Sequence, residues 1–387
     1  MQHFVVVGAG QAGSSLVAKL RDLGFAGQIT LIGEENVLPY QRPPLSKKYL
    51  QGDMDRDRLF LRSQKFYDDN NIEVRTGVTV SGVNPAGKTL EIDGVTVPYD
   101  QLALATGSHL RKLPARMGGD LAGVYGVRGL RDADVLGEQC QPGRHLVIIG
   151  GGYIGLEVAA TAIARGLKVT LVEMADRILQ RVAAKQTSDF FRELHSTKGV
   201  DIREGVGVNK LIGEGHVSAV ELSDGTVLES DLVLVAVGID PTDALAREAG
   251  LELDNGIKTD AHGRTSDPNI WSAGDCASFP HNGERIRLES VPNAIEQAEC
   301  VAANMLAKDT QDDDKVYIAK PWFWSDQYDI KLQIAGLNTG YTSVVEHFGK
   351  RPGSRSFWYY KGRELVAVDA INDPKAFMTG RRIIEAK

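Results

Sequence analysis

Cysteine is scarce in this chain, with three in 387 residues. Cys140, Cys276 and Cys300 form no C-x-x-C pair and no metal-like spacing, which argues against a disulfide scaffold, a zinc site and a dithiol redox motif. No apolar run is long enough to span a bilayer. The formal net charge is -7, so the cationic surplus that would attract nucleic acid or an anionic membrane is missing. The N-terminus has no charged segment leading into a long apolar stretch. The first strand starts so soon after Met1 that cleavage of a signal would destroy it, and a cytoplasmic location is expected.

What the chain has in plenty is glycine, 42 residues, as several tight phosphate-binding turns would require. Two of the clusters share one design. Gly8-Ala9-Gly10-Gln11-Ala12-Gly13 follows the apolar run Phe4-Val5-Val6-Val7. About 140 residues later, Gly150-Gly151-Gly152-Tyr153-Ile154-Gly155 follows Leu146-Val147-Ile148-Ile149. Each is a strand running into G-x-G-x-x-G and then a helical pattern, expected over 14–23 and 154–165. A second strand comes next (Gln28–Ile32 and Lys168–Val172) and ends at an acid, Glu34 or Glu35 in the first copy and Glu173 in the second. A lone G-x-G-x-x-G is weak evidence. Two, each followed by an acid where a ribose hydroxyl needs an acceptor, point to two dinucleotides on one polypeptide.

The duplication extends further. Residues 99–107 read as a buried strand ending in Ala105-Thr106-Gly107, and residues 231–238 repeat that strand-to-glycine pattern, ending at Gly238. Segment 77–97 alternates apolar and polar residues with turn signals at Asn84-Pro85 and Asp93-Gly94, as a hairpin or small meander would, and 204–229 repeats it. From about Pro321 the character changes to clustered aromatics, strand-like runs and a short closing helix. Residues 320–387 hold 11 Lys/Arg against 7 Asp/Glu, opposite to the chain as a whole. The run Asp312-Asp313-Asp314 before this change reads as a solvated connector. The expected fold is α/β: two Rossmann-like dinucleotide-binding domains, each three-layer ββα, and a C-terminal α+β domain.

The chain resembles the NADH-dependent ferredoxin reductases that serve bacterial cytochromes P450 and Rieske-type dioxygenases, within the superfamily of flavoproteins with two dinucleotide-binding domains. The resemblance covers essentially the whole chain. Besides the glycine motifs, it is carried by Pro39-Tyr40-Gln41-Arg42-Pro43-Pro44-Leu45-Ser46-Lys47, Ala105-Thr106-Gly107, Ala273-Gly274-Asp275-Cys276-Ala277, Glu289-Ser290-Val291-Pro292-Asn293-Ala294 and Trp322-Phe323-Trp324-Ser325-Asp326-Gln327. It implies an FAD-binding domain over 1–110 and 239–319, an NADH-binding domain over 111–238 and a C-terminal domain over 320–387.

By the same resemblance, FAD would meet Gly8, Gly10, Ala12, Gly13, Glu34, Glu35, Arg42, Lys47, Val80, Ala105, Thr106, Gly107, Arg111, Gly274, Asp275, Val291 and Trp324. Glu34 or Glu35 would accept from the ribose, Arg42 would neutralise phosphate, and Asp275 would hold the ribityl chain. A helix-capping role is the other reading of Asp275. NADH would meet Gly150, Gly152, Tyr153, Ile154, Gly155, Glu157, Glu173, Arg181 and Gly238. A carboxylate at Glu173 repels a 2′-phosphate, so NADH is expected over NADPH, although Arg181 lies a helical turn or two further on. Lys47 and Glu157 are the candidate catalytic pair: an ammonium beside the flavin, and the acid that pairs with it and gives way to the nicotinamide. Lys48 reads as solvated, and Cys276 and Cys300 as small core residues. Relatives carry Asn after the second unit's last strand where this chain has Thr242, so a contact through that Asn is in doubt.

Disulfide reductases of the superfamily place a C-x-x-x-x-C pair near the segment after the second strand, and peroxidases or oxidases place a single cysteine there. Residues 36–60 contain none, so electrons should leave from the flavin itself. A [2Fe–2S] ferredoxin, typically acidic, is the implied acceptor, steered by Arg351, Arg355, Lys361, Arg363, Arg381 and Arg382. Neither nucleic acid nor a metal is expected. Two enzymatic rivals, a rubredoxin reductase and an NADH oxidase, share the fold. A redox-responsive interaction protein like apoptosis-inducing factor would be expected to show added targeting and nucleic-acid-binding segments, and neither is read in this sequence.

Overall fold

The computed structural model describes residues 1–307 and 314–386. Asp312 and Asp313 of the acidic run lie outside the described residues; Asp314 pairs with Arg264 at 2.8 Å. Packing divides the chain into two compact units. One comprises Met1–Gln41, Leu59–His109 and Asp240–Pro321, the other Arg42–Arg58, Leu110–Ile239 and Trp322–Lys387.

The first unit is built on a five-stranded parallel sheet in the order Ile270–Ser272, Gln101–Leu104, His3–Val7, Gln28–Gly33, Ile72–Thr76. Its inner strands are largely apolar because both faces are covered, whereas the edge strand Ile72–Thr76 interleaves Glu73 and Arg75. Helices Gln11–Asp22 and Val291–Ala307 pack on one face through Leu16, Leu20, Ala298 and Val301. The antiparallel meander Val80–Asn84, Thr89–Ile92, Val95–Pro98 closes the other through Leu90 and Ile92. This is the three-layer arrangement expected, and the alternating segment 77–97 is its third layer.

The second unit repeats the plan. Its parallel sheet runs Asp201–Glu204, Lys168–Glu173, His145–Ile149, Leu232–Val235, Val124–Tyr125, with helix Tyr153–Ala164 following the second glycine cluster. The meander Val208–Gly213, Val217–Leu222, Val227–Glu229 packs on it through Val220 and Leu222. The same unit includes an antiparallel sheet, ordered Trp322–Gln327, Ile330–Gly336, Glu364–Ile371, Arg355–Lys361, Ser343–Phe348. The closing helix Pro374–Glu385 covers it through Phe377.

The duplication reaches individual side chains at the N-terminal ends of the strands. His3 Nε2 meets Thr30 Oγ1 at 2.9 Å, and that hydroxyl donates to Glu73, which pairs with Arg75. His145 Nε2 meets Thr170 Oγ1 at 3.0 Å, that hydroxyl donates to Asp201, and Asp201 pairs with Arg203. In each copy the backbone N–H of the histidine also donates to an aspartate just before a neighbouring strand, Asp100 or Asp231.

Both cradle helices start earlier than periodicity alone suggests, at Gln11 rather than 14 and at Tyr153 rather than 154. The last glycine of each motif therefore lies inside the first turn. A Cβ on Gly13 would sit 1.9 Å from the Gly8 carbonyl oxygen, and one on Gly155 would sit 2.1 Å from that of Gly150. These glycines let each helix fold back onto the strand end that feeds it.

Two buried titratable groups in the second unit act oppositely on its stability. Burial lowers His195 to about 4, so acidification from about 6.5 protonates the unfolded chain first and weakens the fold. Burial raises Asp369 to about 6; Thr187 and Tyr359 donate to it. It takes up its proton in the folded state first, so acidification from about 6 towards 3.8 strengthens the fold. The two effects offset each other in this range. Asp369→Asn should leave the histidine term uncompensated. Its urea-unfolding free energy should fall between pH 7 and pH 4.5 by about 2 kcal/mol more than that of the unmutated chain. An equal pH dependence would show that the offset is absent.

Candidate functional site

In the first unit the helix Gln11–Asp22 opens at Gly10 with no side-chain cap and no acid in its first turn. A Cβ on Gly10 would meet nothing within 4 Å, so the space ahead of these N–H groups is open. Gly8 stands at φ +116°, and any Cβ there would strike the Ala105 carbonyl oxygen at 2.1 Å. The second unit matches it: Gly152 opens Tyr153–Ala164 uncapped with nothing within 4 Å, and Gly150 has φ +109°. Each cradle offers a helix start with no side-chain cap and no acid in its first turn, and a positive helix end at an open backbone, as a pyrophosphate requires. The residues present therefore fit two dinucleotides.

Around the first cradle, Glu34 is exposed at the end of its strand. Glu35 accepts from the Tyr40 hydroxyl at 2.6 Å, so of the two acids Glu34 faces solvent. Ala12 is buried against Gly274, whose φ is +84°. Thr106 Oγ1 donates to the Thr242 carbonyl at 2.5 Å, and Thr242 N–H donates back to Gly107. The position where an asparagine was in doubt thus serves as a backbone clasp. Asp275 accepts from Ser108 at 2.9 Å and leads into strand Ala277–His281, so the helix-capping reading is corrected: no helix follows it. Val80 is buried at the start of the meander, and Val291 opens helix Val291–Ala307.

In the second unit, Glu173 stands at the end of its strand and accepts from the N–H groups of Gly151 (2.7 Å) and Ala175 (2.8 Å). The acid is tied to the glycine loop it serves. Arg181 is exposed, in a stretch of bends and turns over residues 174–184 with Leu179 at φ +55°, and the next helix starts at Lys185. Ile154 is exposed at the helix start. Gly238 (φ +108°) accepts from Arg111 N–H at 3.1 Å. Arg42 donates to the Arg128 carbonyl at 2.8 Å.

The centre of this unit is Glu157, in helix Tyr153–Ala164 and only 3 % exposed. Lys47 Nζ lies 2.7 Å from Glu157 Oε2, which also accepts from Ser46 Oγ at 2.6 Å. Ser325 Oγ donates to Oε1 at 2.6 Å. The carboxylate thus has three donors, and the lysine charge is met within the same site. Lys48, the neighbour of Lys47, is exposed. Tyr153 stacks edge-on against Phe323 at 4.7 Å, and burial raises its hydroxyl well above the ordinary range. Trp324 lies 5.7 Å from Trp322, which in turn lies under Arg381.

The sequence singled out Lys47 and Glu157 but not the hydroxyls around them. Ser46 and Ser325 stood within two of the quoted motifs, which was the available signal; His195, discussed below, carried none. Of the basic residues, Arg351, Lys361, Arg363 and Arg382 are exposed. Arg355 pairs with Glu346 and Arg381 with Glu385, so these two are partly committed. Cys140 and Cys276 are buried, whereas Cys300 is only partly so, a correction to its core placement. Among the described residues no three His, Cys, Asp or Glu side chains cluster as metal ligands, and no helix is long and apolar enough to cross a membrane.

Residues 2–298 match the family model described as pyridine nucleotide-disulphide oxidoreductase, and residues 322–387 match the reductase C-terminal model. The chain is 42% identical to a ferredoxin–NAD(P)(+) reductase of Sphingomonas sp, over 99% of this chain and 92% of that one. It is 41% identical to putidaredoxin reductase of Pseudomonas putida, over 99% and 91%. The solved covalent complex of putidaredoxin reductase with putidaredoxin matches at a TM-score of 0.93 and 40% identity, covering 99% of this chain and 93% of that one. With both cradles and the closing sheet accounted for, the chain belongs to the pyridine nucleotide-disulphide oxidoreductase family and carries its reductase C-terminal domain.

Proposed function

We propose that this protein is an NADH:ferredoxin oxidoreductase that feeds a cytochrome P450 or a Rieske-type oxygenase through a [2Fe–2S] ferredoxin. The observation that carries this reading is the cysteine-free segment 36–60, whose Lys47 pairs with Glu157 of the second cradle's helix. That segment holds no cysteine to take electrons onward. The first cradle would hold FAD, which would supply the exchange between a two-electron hydride from NADH and single electrons for two ferredoxins. The first cradle, with Glu34, Asp275 and Val291, is assigned to FAD, and the second, with Glu173 and Gly238, to NADH. The three-domain division at 110, 239 and 320 belongs to the same reading.

The chain's own residues hold and orient. The open helix ends at Gly10 and Gly152 receive pyrophosphates. Glu173 accepts from the adenosine ribose and sets its charge against a 2′-phosphate. Lys47 supplies a fixed cation near the reacting ring, held in place by Glu157 and by the Pro43 carbonyl, to which it donates at 3.1 Å. The exposed basic residues of the last segment attract an acidic ferredoxin. An NADH donor supports a cytoplasmic location.

In stopped flow, NADH should bleach the bound flavin rapidly while oxygen turnover stays slow, and cytochrome c reduction should become fast only when a [2Fe–2S] ferredoxin is added. Rapid oxygen consumption without an iron–sulfur partner would sink this assignment in favour of an oxidase, and a preference for rubredoxin would favour the other rival. Glu173→Gln should raise the NADPH-to-NADH ratio of kcat/KM by about tenfold, the effect of roughly 1.4 kcal/mol of charge repulsion removed. An unchanged ratio would assign nucleotide choice to other residues.

A further inference from the structure

Glu157 is the end of a longer buried series. Ser325 Oγ lies 2.6 Å from Glu157 Oε1, and Gln327 Nε2 lies 3.1 Å from Ser325 Oγ. Gln327 Oε1 lies 2.8 Å from His195 Nε2, and His195 Nδ1 lies 3.1 Å from the Tyr328 hydroxyl. Glu157, Ser325, Gln327 and His195 are each 3 % exposed or less. Three elements contribute: helix Tyr153–Ala164, helix Lys185–Thr197 and strand Trp322–Gln327. Tyr328 follows that strand in a tight turn at φ +56°, and Lys198 lies over its ring at 5.6 Å.

We propose that Ser325, Gln327 and His195 are positioning residues for Glu157, joined in one hydrogen-bond chain whose direction the carboxylate sets. An ionised carboxylate only accepts, so Ser325 must donate to it. A hydroxyl has one proton, so Ser325 must then accept from Gln327, which turns the amide N–H₂ to the serine and its carbonyl to His195. That carbonyl only accepts, so His195 carries its proton on Nε2. Its bare Nδ1 then accepts a hydrogen bond from the Tyr328 hydroxyl. Every donor points toward Glu157, and each bond polarises the next. Burial keeps His195 neutral to about pH 4, so the tautomer persists across the working range. The amide makes the series a poor proton conductor; it holds the carboxylate against Lys47 rather than supplying protons. The closing sheet thereby helps to fix the pair at the proposed nicotinamide site.

This inference rests on the NADH-to-FAD reading only for its kinetic part. The test is ¹⁵N NMR of histidine-labelled holoenzyme, with the His195 signals identified by their loss in His195→Gln. The unmutated protein should show Nε2 protonated and Nδ1 bare. In Glu157→Gln the new carbonyl should stay with Lys47 and Ser46, turning its N–H₂ to Ser325. The whole series should then reverse, and His195 should carry its proton on Nδ1. Adding Ser325→Ala to Glu157→Gln should cut the coupling and abolish the switch. Ser325→Ala alone should lower the rate of flavin reduction by about tenfold with KM for NADH changed by less than about twofold. A His195 tautomer that ignores Glu157→Gln would overturn the proposal, as would a wild-type reduction rate in Ser325→Ala. If NADH fails to bleach the flavin of the unmutated protein, the functional reading fails while the tautomer result stands separately.

Discussion

Glu157 is a carboxylate in a place where water cannot solvate it, and the second unit is organised around that constraint. An unpaired charge at such a site would be expelled or neutralised. Lys47, Ser46 and Ser325 satisfy it, and each comes from a segment distant in sequence. The segment Arg42–Arg58 packs with the second unit although the chain on either side of it belongs to the first. The strand Trp322–Gln327 brings Ser325. Thr161, one turn further along the same helix, donates to the Ser46 carbonyl at 3.0 Å and so pins the backbone beside Lys47.

Duplication explains the rest of the frame. Two copies of one three-layer plan share the order of four of the five sheet strands, the meander, the glycine spacing and even the His–Thr–acid–Arg series at the strand ends. What differs between the copies is what differs in their proposed work. The first copy presents an exposed Glu34 and a backbone clasp between Thr106 and Thr242. The second has its acid tied to the glycine loop and a buried carboxylate within the helix.

Much of this was legible in the amino-acid order. Strand–glycine–helix repeats are local, so their spacing alone placed both cradles, and period-two alternation placed both meanders. The helix starts were early by one to three residues because the contact that draws them in, Gly13 to the Gly8 carbonyl, is a close approach that periodicity does not register. Asp275 was ambiguous because an Asp after Gly serves as a cap only if a helix follows, and here a strand does.

Residue type and spacing by themselves determined that two dinucleotide cradles exist, that residues 36–60 hold no cysteine, and that the closing segment is a separate kind of structure. Those are properties of short stretches, where backbone geometry depends on neighbouring residues. Tertiary structure alone decided which hydroxyls meet Glu157, that Gln327 and His195 continue the series, and that Asp369 lies buried under Tyr359 and Thr187. Serine, glutamine and histidine carry no positional signal of their own. Their roles come from desolvation, which forces every buried donor and acceptor to find a partner, wherever in the chain that partner lies.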